Sequence, residues 1–228
     1  ATLIGCTVYG MSAWDLKIDK DTQQEGLIIR YRYQGEGEHG EGNEGRVTVD
    51  DLQVAQFVYL LLNNENIRSV IDTIGKKGVL ILGRFTERKP LLDAIRAKLR
   101  KLNYVPMMFD FEKPTQRDFT ETIKTLAGIS RFIIADITKP RSSPLELQAT
   151  VPDYMIPFVP IIQEDEKEFS MFQDLQQKYE WVLPLLRYDS TEGLLRVFKE
   201  AVIDPAVEMS QKLLLKKSAI KDRRVSDY

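Results

Sequence analysis

Between Gly78 and Ile203 the sequence alternates five times between a short apolar run and a segment of helical spacing, and this alternation limits the fold more than any other feature. The first unit is Gly78-Val-Leu-Ile-Leu-Gly83, a buried strand, then a tight turn and a helix with Leu91, Leu92, Ile95, Leu99 and Leu102 on one face. Thr86 is the expected cap of that helix, and Pro90 falls in its first turn, where a missing N–H does least harm. Tyr104 to Phe109 pairs with a helix capped by Thr115 that carries Phe119, Ile123, Leu126 and Ile129. Arg131 to Ala135 precedes a short helix opening at Ser143-Pro144, and Ile156 to Ile162 precedes a helix from Glu166 to Tyr179. Trp181 to Tyr188 supplies a fifth strand, and Thr191 to Ile203 a closing helix. Repeated β–α alternation requires right-handed crossovers and a parallel sheet. The sequence therefore predicts an α/β domain over residues 77–204, built on a doubly wound, five-stranded parallel sheet. Pro157 and Pro160 are awkward for an inner strand, and Pro184 suits an edge.

Four further segments flank that domain. Residues 1–33 open with Ala1-Thr-Leu-Ile-Gly5, Cys6-Thr-Val-Tyr-Gly10 and Met11-Ser-Ala-Trp-Asp15. Leu3, Val8 and Ala13 thus recur at a period of five, with Ala1, Cys6 and Met11 two residues before each. The period resembles the last coils of a pentapeptide-repeat solenoid, in which a small and an apolar side chain point inward from every five-residue face. An apolar strand and turn explains the same residues, whereas the solenoid reading implies further coils before Ala1. Gly26 to Tyr33 reads as a short strand. Residues 34–49, with the run GEGEHGEGNEG, read as a flexible Gly/Glu loop that has too little apolar surface to become ordered. Residues 50–76 form a helical linker of two short helices broken near Asn63-Asn64, suited to packing on the next domain, to joining it to the repeats, or to self-association. From 205 to 228 a last helix carries Val207 and Leu213 to Leu215, then Lys216, Lys217, Lys221, Arg223 and Arg224, either a solvated helix end or a partner surface.

Composition removes whole classes of chemistry. With 32 Lys and Arg against 34 Asp and Glu there is no global basic field to recruit nucleic acid, so nucleic acid is not an expected partner. No apolar run approaches the roughly 20 residues of a membrane-spanning helix, so no membrane partner is expected either. Cys6 is the only cysteine, which excludes an intrachain disulfide and fits a reducing, cytoplasmic location. His39 is the only histidine, so Ser-His-Asp, Cys-His and histidine-based zinc sites lack material, and neither a metal nor a resident cofactor is expected. Carboxylates, hydroxyls and backbone amides remain.

In open parallel sheets ligands bind beyond the carboxyl ends of the strands, where the strand order reverses. After the first strand, Gly83, Arg84, Phe85 and Thr86 offer a glycine for close approach, a guanidinium suited to phosphate, and a helix N-terminus. The same four residues also make an ordinary βα turn. Neither G-x-G-x-x-G nor GxxxxGK[ST] is present. Asp110 and Glu112 follow the second strand; Asp136, Thr138, Ser142, Ser143 and Glu146 follow the third. The Asp136 carboxylate either accepts from ribose hydroxyls or caps its own loop. Ser143-Pro144-Leu145-Glu146 matches a capping box, which by itself explains all four residues.

Phe132-Ile-Ile-Ala-Asp136 followed by Ser142-Ser143-Pro-Leu-Glu146-Leu147 resembles the Toll/interleukin-1 receptor (TIR) domain family, and is similar to the related nucleoside 2-deoxyribosyltransferases, over roughly Gly78 to Tyr188. The resemblance implies a flavodoxin-like fold. It also implies that a glutamate at the position of Glu146 works on the N-glycosidic bond of NAD or a nucleoside, with Gly83 to Thr86, Ser142 and Ser143 against the nucleotide and Asp110 and Asp136 positioning ribose. A carboxylate suits that task because it can attack or stabilise an oxocarbenium-like centre without histidine or metal. Two departures stand out: Pro144-Leu145 replaces the aromatic-cysteine pair often found before the TIR glutamate, and the deoxyribosyltransferase Gly-Thr is absent. The implied protein is a bacterial signalling or defence protein acting on NAD. The alternative is a non-catalytic interaction module whose repeats and linker helices drive assembly with itself or a protein partner.

Overall fold

The computed structural model describes residues 1–10, 17, 19–33, 43–110, 118–138, 155–168 and 170–218. Two units are distinguished, Ala1–Asp72 and Thr73–Tyr228. In the first, β1 (Thr2–Ile4) runs parallel to β2 (Gln23–Glu25), and the parallel course continues to a bridge between Thr7 and Ile28. Gly5 and Gly10 adopt φ of 63° and 84°, a left-handed conformation that a side chain would make costly, so the chain corners after each of the first two five-residue blocks. Leu3 and Val8 face a small core with Leu27, Ile29 and Ala55. Ala1 and Cys6 are exposed, and Met11 and Ala13 lie outside the described residues.

Strand β3 (Leu27–Tyr33) pairs antiparallel with β4 (Asn43–Val49). This corrects the expected Gly/Glu loop of 34–49, whose last seven residues are strand. Val47 and Val49 alternate inward onto the small core, and Gly45 lies opposite Tyr31, whose ring occupies the space a Cβ at Gly45 would fill. Residues 34–42, with His39, lie outside the described residues. Helix α1 (Leu52–Asn63) is capped by Asp51, whose carboxylate accepts from the Val54 N–H at 2.9 Å. Asn64 accepts from the Ile67 N–H at 3.1 Å and so opens α2 (Glu65–Lys77), within which the division between the units falls.

The second unit contains β5 (Gly78–Gly83), α3 (Lys89–Lys101), β6 (Val105–Asp110), α4 (Asp118–Gly128) and β7 (Phe132–Asp136). It continues through β8 (Phe158–Gln163), α5 (Ser170–Lys178), β9 (Leu186–Tyr188) and α6 (Thr191–Phe198), then a π-helical turn over Lys199–Ile203 and α7 (Asp204–Ser218). The strands lie in the order β6-β5-β7-β8-β9 and every pairing is parallel, which is the flavodoxin-like doubly wound order with its reversal between β5 and β7. Residues of β5 and β7 are buried on both faces, which is why their sequences read as unbroken apolar runs instead of alternating. Val79, Ile81, Phe132 and Ile134 face α3, α6 and α7, burying Leu92, Ile95, Phe198 and Ala206. Leu80, Leu82, Ile133 and Ala135 face α4 and α5, burying Ile123, Ala127, Phe172 and Leu175.

Prolines fall where a missing donor is tolerated. Strand β8 is an inner strand despite Pro160. The carbonyls of Pro157 and Ile161 accept from Ile133 of β7 and from Ile137 just beyond it, whereas the Phe158 N–H and C=O bond on the opposite side to Trp181 and Leu183. Pro160 therefore turns its nitrogen away from β7, toward the stretch between the Val182 bridge and β9 where no strand pairs with it. The fifth strand is correspondingly shorter than Trp181 to Tyr188, because Pro184 interrupts it. Similarly, the closing helix passes through a π-helical turn, in which the Asp204 N–H bonds to the Lys199 carbonyl, immediately before Pro205. That wider turn admits a proline ring which an uninterrupted α-helix would force against the carbonyl four residues back. Thr115 and the basic residues Lys221, Arg223 and Arg224 lie outside the described residues.

Ile81 is fully buried between Met108 of β6 and Ile134 of β7. Ile81→Ala is expected to lower unfolding free energy by about 2–5 kcal/mol in urea titrations. Leu215→Ala, at a side chain 70% exposed, is expected to change it by no more than about 0.5 kcal/mol.

Candidate functional site

All five parallel strands end at one edge, in Gly83, Asp110, Asp136, Gln163 and Tyr188. Gly83 stands beside Asp110, and Gln163 beside Tyr188. Arg88, immediately before α3, spans the last three of these positions. Its Nε donates to Asp136 Oδ2 at 2.9 Å, its Nη1 to Gln163 Oε1 at 2.9 Å, and its Nη2 to the Tyr188 hydroxyl. A single guanidinium thus joins the terminal side chains of three successive strands, which the planar fork of arginine donors makes feasible. The guanidinium carbon also lies 5.9 Å from the Tyr188 ring centroid.

The Asp136 side chain has 0% exposure and Arg88 19%, so the pair is sheltered from water. The second carboxylate oxygen, Oδ1, accepts from the Thr138 N–H at 3.1 Å and from the Thr138 hydroxyl at 2.5 Å. That hydroxyl in turn accepts from the Gln163 N–H at 3.1 Å. A continuous relay therefore runs from the β8 backbone through Thr138 and Asp136 to Arg88, each bond polarising the next. Burial lowers the pKa of Arg88, but the hydrogen bond and charge of Asp136 outweigh it and hold the guanidinium above its ordinary value. Burial pushes the Tyr188 phenol up to about 12, assisted by the negative charge of Asp136 and opposed by Thr138 and Arg88.

The structure sets several sequence-predicted site residues at this edge and gives some of them a structural task. Of the two parts considered for Asp136, loop capping is the one its bonds display, together with the ion pair. Gly83 provides close approach, and α3 uses it: a Cβ there would stand 2.8 and 2.9 Å from the Leu92 methyl carbons. Phe85 packs partly buried against the core, Arg84 is half-buried, and Thr86 is exposed in the turn. Thr86 is not the helix cap, which corrects the sequence reading. A helix capped there would need the Pro90 N–H for its first bond, so α3 instead starts at Lys89 with Arg88 in the cap position. Asp110 closes β6, and Ser142, Ser143 and Glu146 lie outside the described residues.

Sequence reasoning does not single out Arg88, Gln163 or Tyr188. The signal available is that a polar side chain closes three consecutive apolar runs, at Asp136, Gln163 and Tyr188, which aligns those groups at one edge of a parallel sheet. Among the described residues, no three His, Cys, Asp or Glu side chains gather so as to hold a metal ion, and no helix is long and apolar enough to cross a membrane.

No family profile and no curated protein sequence matches the chain. Among solved structures, the crystal structure of a diflavin flavoprotein A3 from Nostoc sp. is similar at 15% identity and a TM-score of 0.38, with 61% of this chain and 93% of that one covered. The flavodoxin-like assignment itself rests on the strand order.

Arg88→Gln would leave the Asp136 carboxylate buried without its counter-charge, and a loss of about 3–5 kcal/mol is expected in chemical denaturation. Tyr188 makes a separate prediction. Its folded-state pKa lies above the unfolded value near 10, so its contribution to stability is complete below about pH 10 and is lost as the pH rises toward 12. Ultraviolet titration should show a tyrosine step close to pH 12, and Tyr188→Phe should remove that step.

Proposed function

We propose that the Thr73–Tyr228 unit is a TIR-like nucleotide-binding domain of a signalling or defence protein that cleaves the nicotinamide–ribose bond of NAD, with Glu146 as the reacting carboxylate. The observation that carries this reading is the strand order β6-β5-β7-β8-β9. Its reversal sets the ends of β5 and β7 side by side, the position at which open parallel sheets take nucleotides. In this reading Gly83, Arg84, Phe85, Thr86, Ser142 and Ser143 contact the nucleotide and Asp110 positions the ribose. Asp136 contributes indirectly, holding the loops after β5 and β7 together through Arg88.

The chemistry agrees with the composition. The glycosidic nitrogen of NAD is already cationic, so nicotinamide departs as a neutral molecule and no histidine is required to protonate it. A carboxylate beside C1′ stabilises the oxocarbenium-like centre or attacks it, and water completes hydrolysis to ADP-ribose. One observation favours the second reading, a non-catalytic assembly module: Val54 and Phe57 of α1 and Val70 and Ile71 of α2 are exposed.

Incubation of the protein with NAD, in dilute and crowded solution, should release nicotinamide detectable by chromatography, and Glu146→Ala should reduce the rate at least about a hundredfold. Absence of turnover in both conditions, or turnover unchanged in Glu146→Ala, would overturn the catalytic reading and leave the assembly module.

A further inference from the structure

At the opposite edge of the sheet, where β7 and β8 begin, lies a cleft of about 430 Å³, within the range of about 300–1,000 Å³ common to small-molecule sites. One wall is apolar, formed by Ile156 and Pro157 before β8 and by Leu213 and Leu214 of α7. Two cations, Arg131 and Lys217, share the lining, and among the described residues none that lines the cleft is acidic.

Each cation has an ordinary explanation taken singly. Arg131 Nη1 donates to the Lys76 carbonyl at 2.9 Å, satisfying an acceptor in the last turn of α2, and Lys217 lies in the last turn of α7, where positive charge is favoured. Those roles do not require the two charges to converge on one cleft, nor that cleft to have an apolar wall. The bond to Lys76 uses one of the five N–H groups of a guanidinium and steadies the others. Leu214 is 62% exposed although it lines the cleft, so an apolar surface stands open to water beside the cations. A ligand that covered Leu214 while presenting negative charge to Arg131 and Lys217 would satisfy both features.

We propose that this cleft is a binding site for a small organic anion with a flat or chain-like apolar body, of the aryl or acyl carboxylate class. The carboxylate is held by Arg131 and Lys217, and the body lies on Ile156, Leu213 and Leu214. Because α7 and the starts of β7 and β8 all contribute, the ligand fastens the last helix to the sheet. The site is separate from the carboxyl edge and does not depend on the reaction proposed there.

The test uses 1-naphthoate and its neutral counterpart 1-naphthamide, titrated into the whole chain carrying labelled methyl groups. Naphthoate is expected to shift the Ile156, Leu213 and Leu214 methyl resonances to saturation, to bind at least about tenfold more tightly than the amide, and to weaken with added salt. Lys217→Gln, at an exposed position that leaves the fold intact, should weaken naphthoate about threefold, and Arg131→Gln about tenfold. Equal affinity for acid and amide would overturn the proposal. So would an affinity unchanged in Lys217→Gln, or methyl shifts confined to residues outside the cleft.

Discussion

The ion pair between Arg88 and Asp136 fixes the carboxyl edge of the parallel sheet. A carboxylate with no solvent exposure is the most expensive group in an otherwise apolar layer, and it is tolerated because three donors converge on it, Arg88 Nε, the Thr138 amide and the Thr138 hydroxyl, the last of which is itself held by the β8 backbone. The pair also acts as a gauge of register. Side chains alternate faces along a strand, so a slip of one residue in β8 or β9 would carry Gln163 or Tyr188 to the wrong side and out of reach of the guanidinium. The start of α3 and the ends of three strands are therefore set together, and the loop from Gly83 to Arg88 is held at both ends.

Much of this fold was legible because a sheet covered on both faces writes itself into sequence as unbroken apolar runs. Gly78–Gly83 and Phe132–Asp136 are such runs, and the residues just beyond them mark the carboxyl edge. What joins that edge was not legible. Arg88 meets Asp136, Gln163 and Tyr188 across separations of 48, 75 and 100 residues, and no periodicity reports a contact between one loop and the ends of three strands. For the same reason no sequence pattern decides between ribose and loop as the partner of Asp136. Strand β4 was hidden by a different effect. The glycines and glutamates of the preceding run dilute the alternation of Val47 and Val49, and Gly45, which weakens the strand pattern locally, is what lets the Tyr31 ring cross the hairpin.

Proline shows how a sound local rule can point to the wrong place. Pro160 argues against an inner strand only if its nitrogen faces a paired neighbour, and here it faces the gap before β9. Pro205 argues for a helix end, yet the π-helical turn before it lets α6 and α7 run on as a continuous helical course. Pro90, by contrast, sets the start of α3 and so delivers Arg88 to the sheet edge. The rule that proline lacks a donor holds in all three cases; what the sequence omits is which donor would have been used.

The two edges of the sheet now differ in how they can hold negative charge. Helices that follow parallel strands direct their N-termini toward the carboxyl edge, so an anion there meets backbone N–H groups and a favourable dipole even though Arg88 is already engaged by Asp136. At the amino edge the helices end, and their carbonyls repel an anion. Arg131 illustrates the balance, since part of its donor capacity goes to the Lys76 carbonyl before any ligand arrives. An anion in that cleft is therefore held by side chains against the helix ends, and its affinity depends on Arg131 and Lys217 and on the apolar wall beside them.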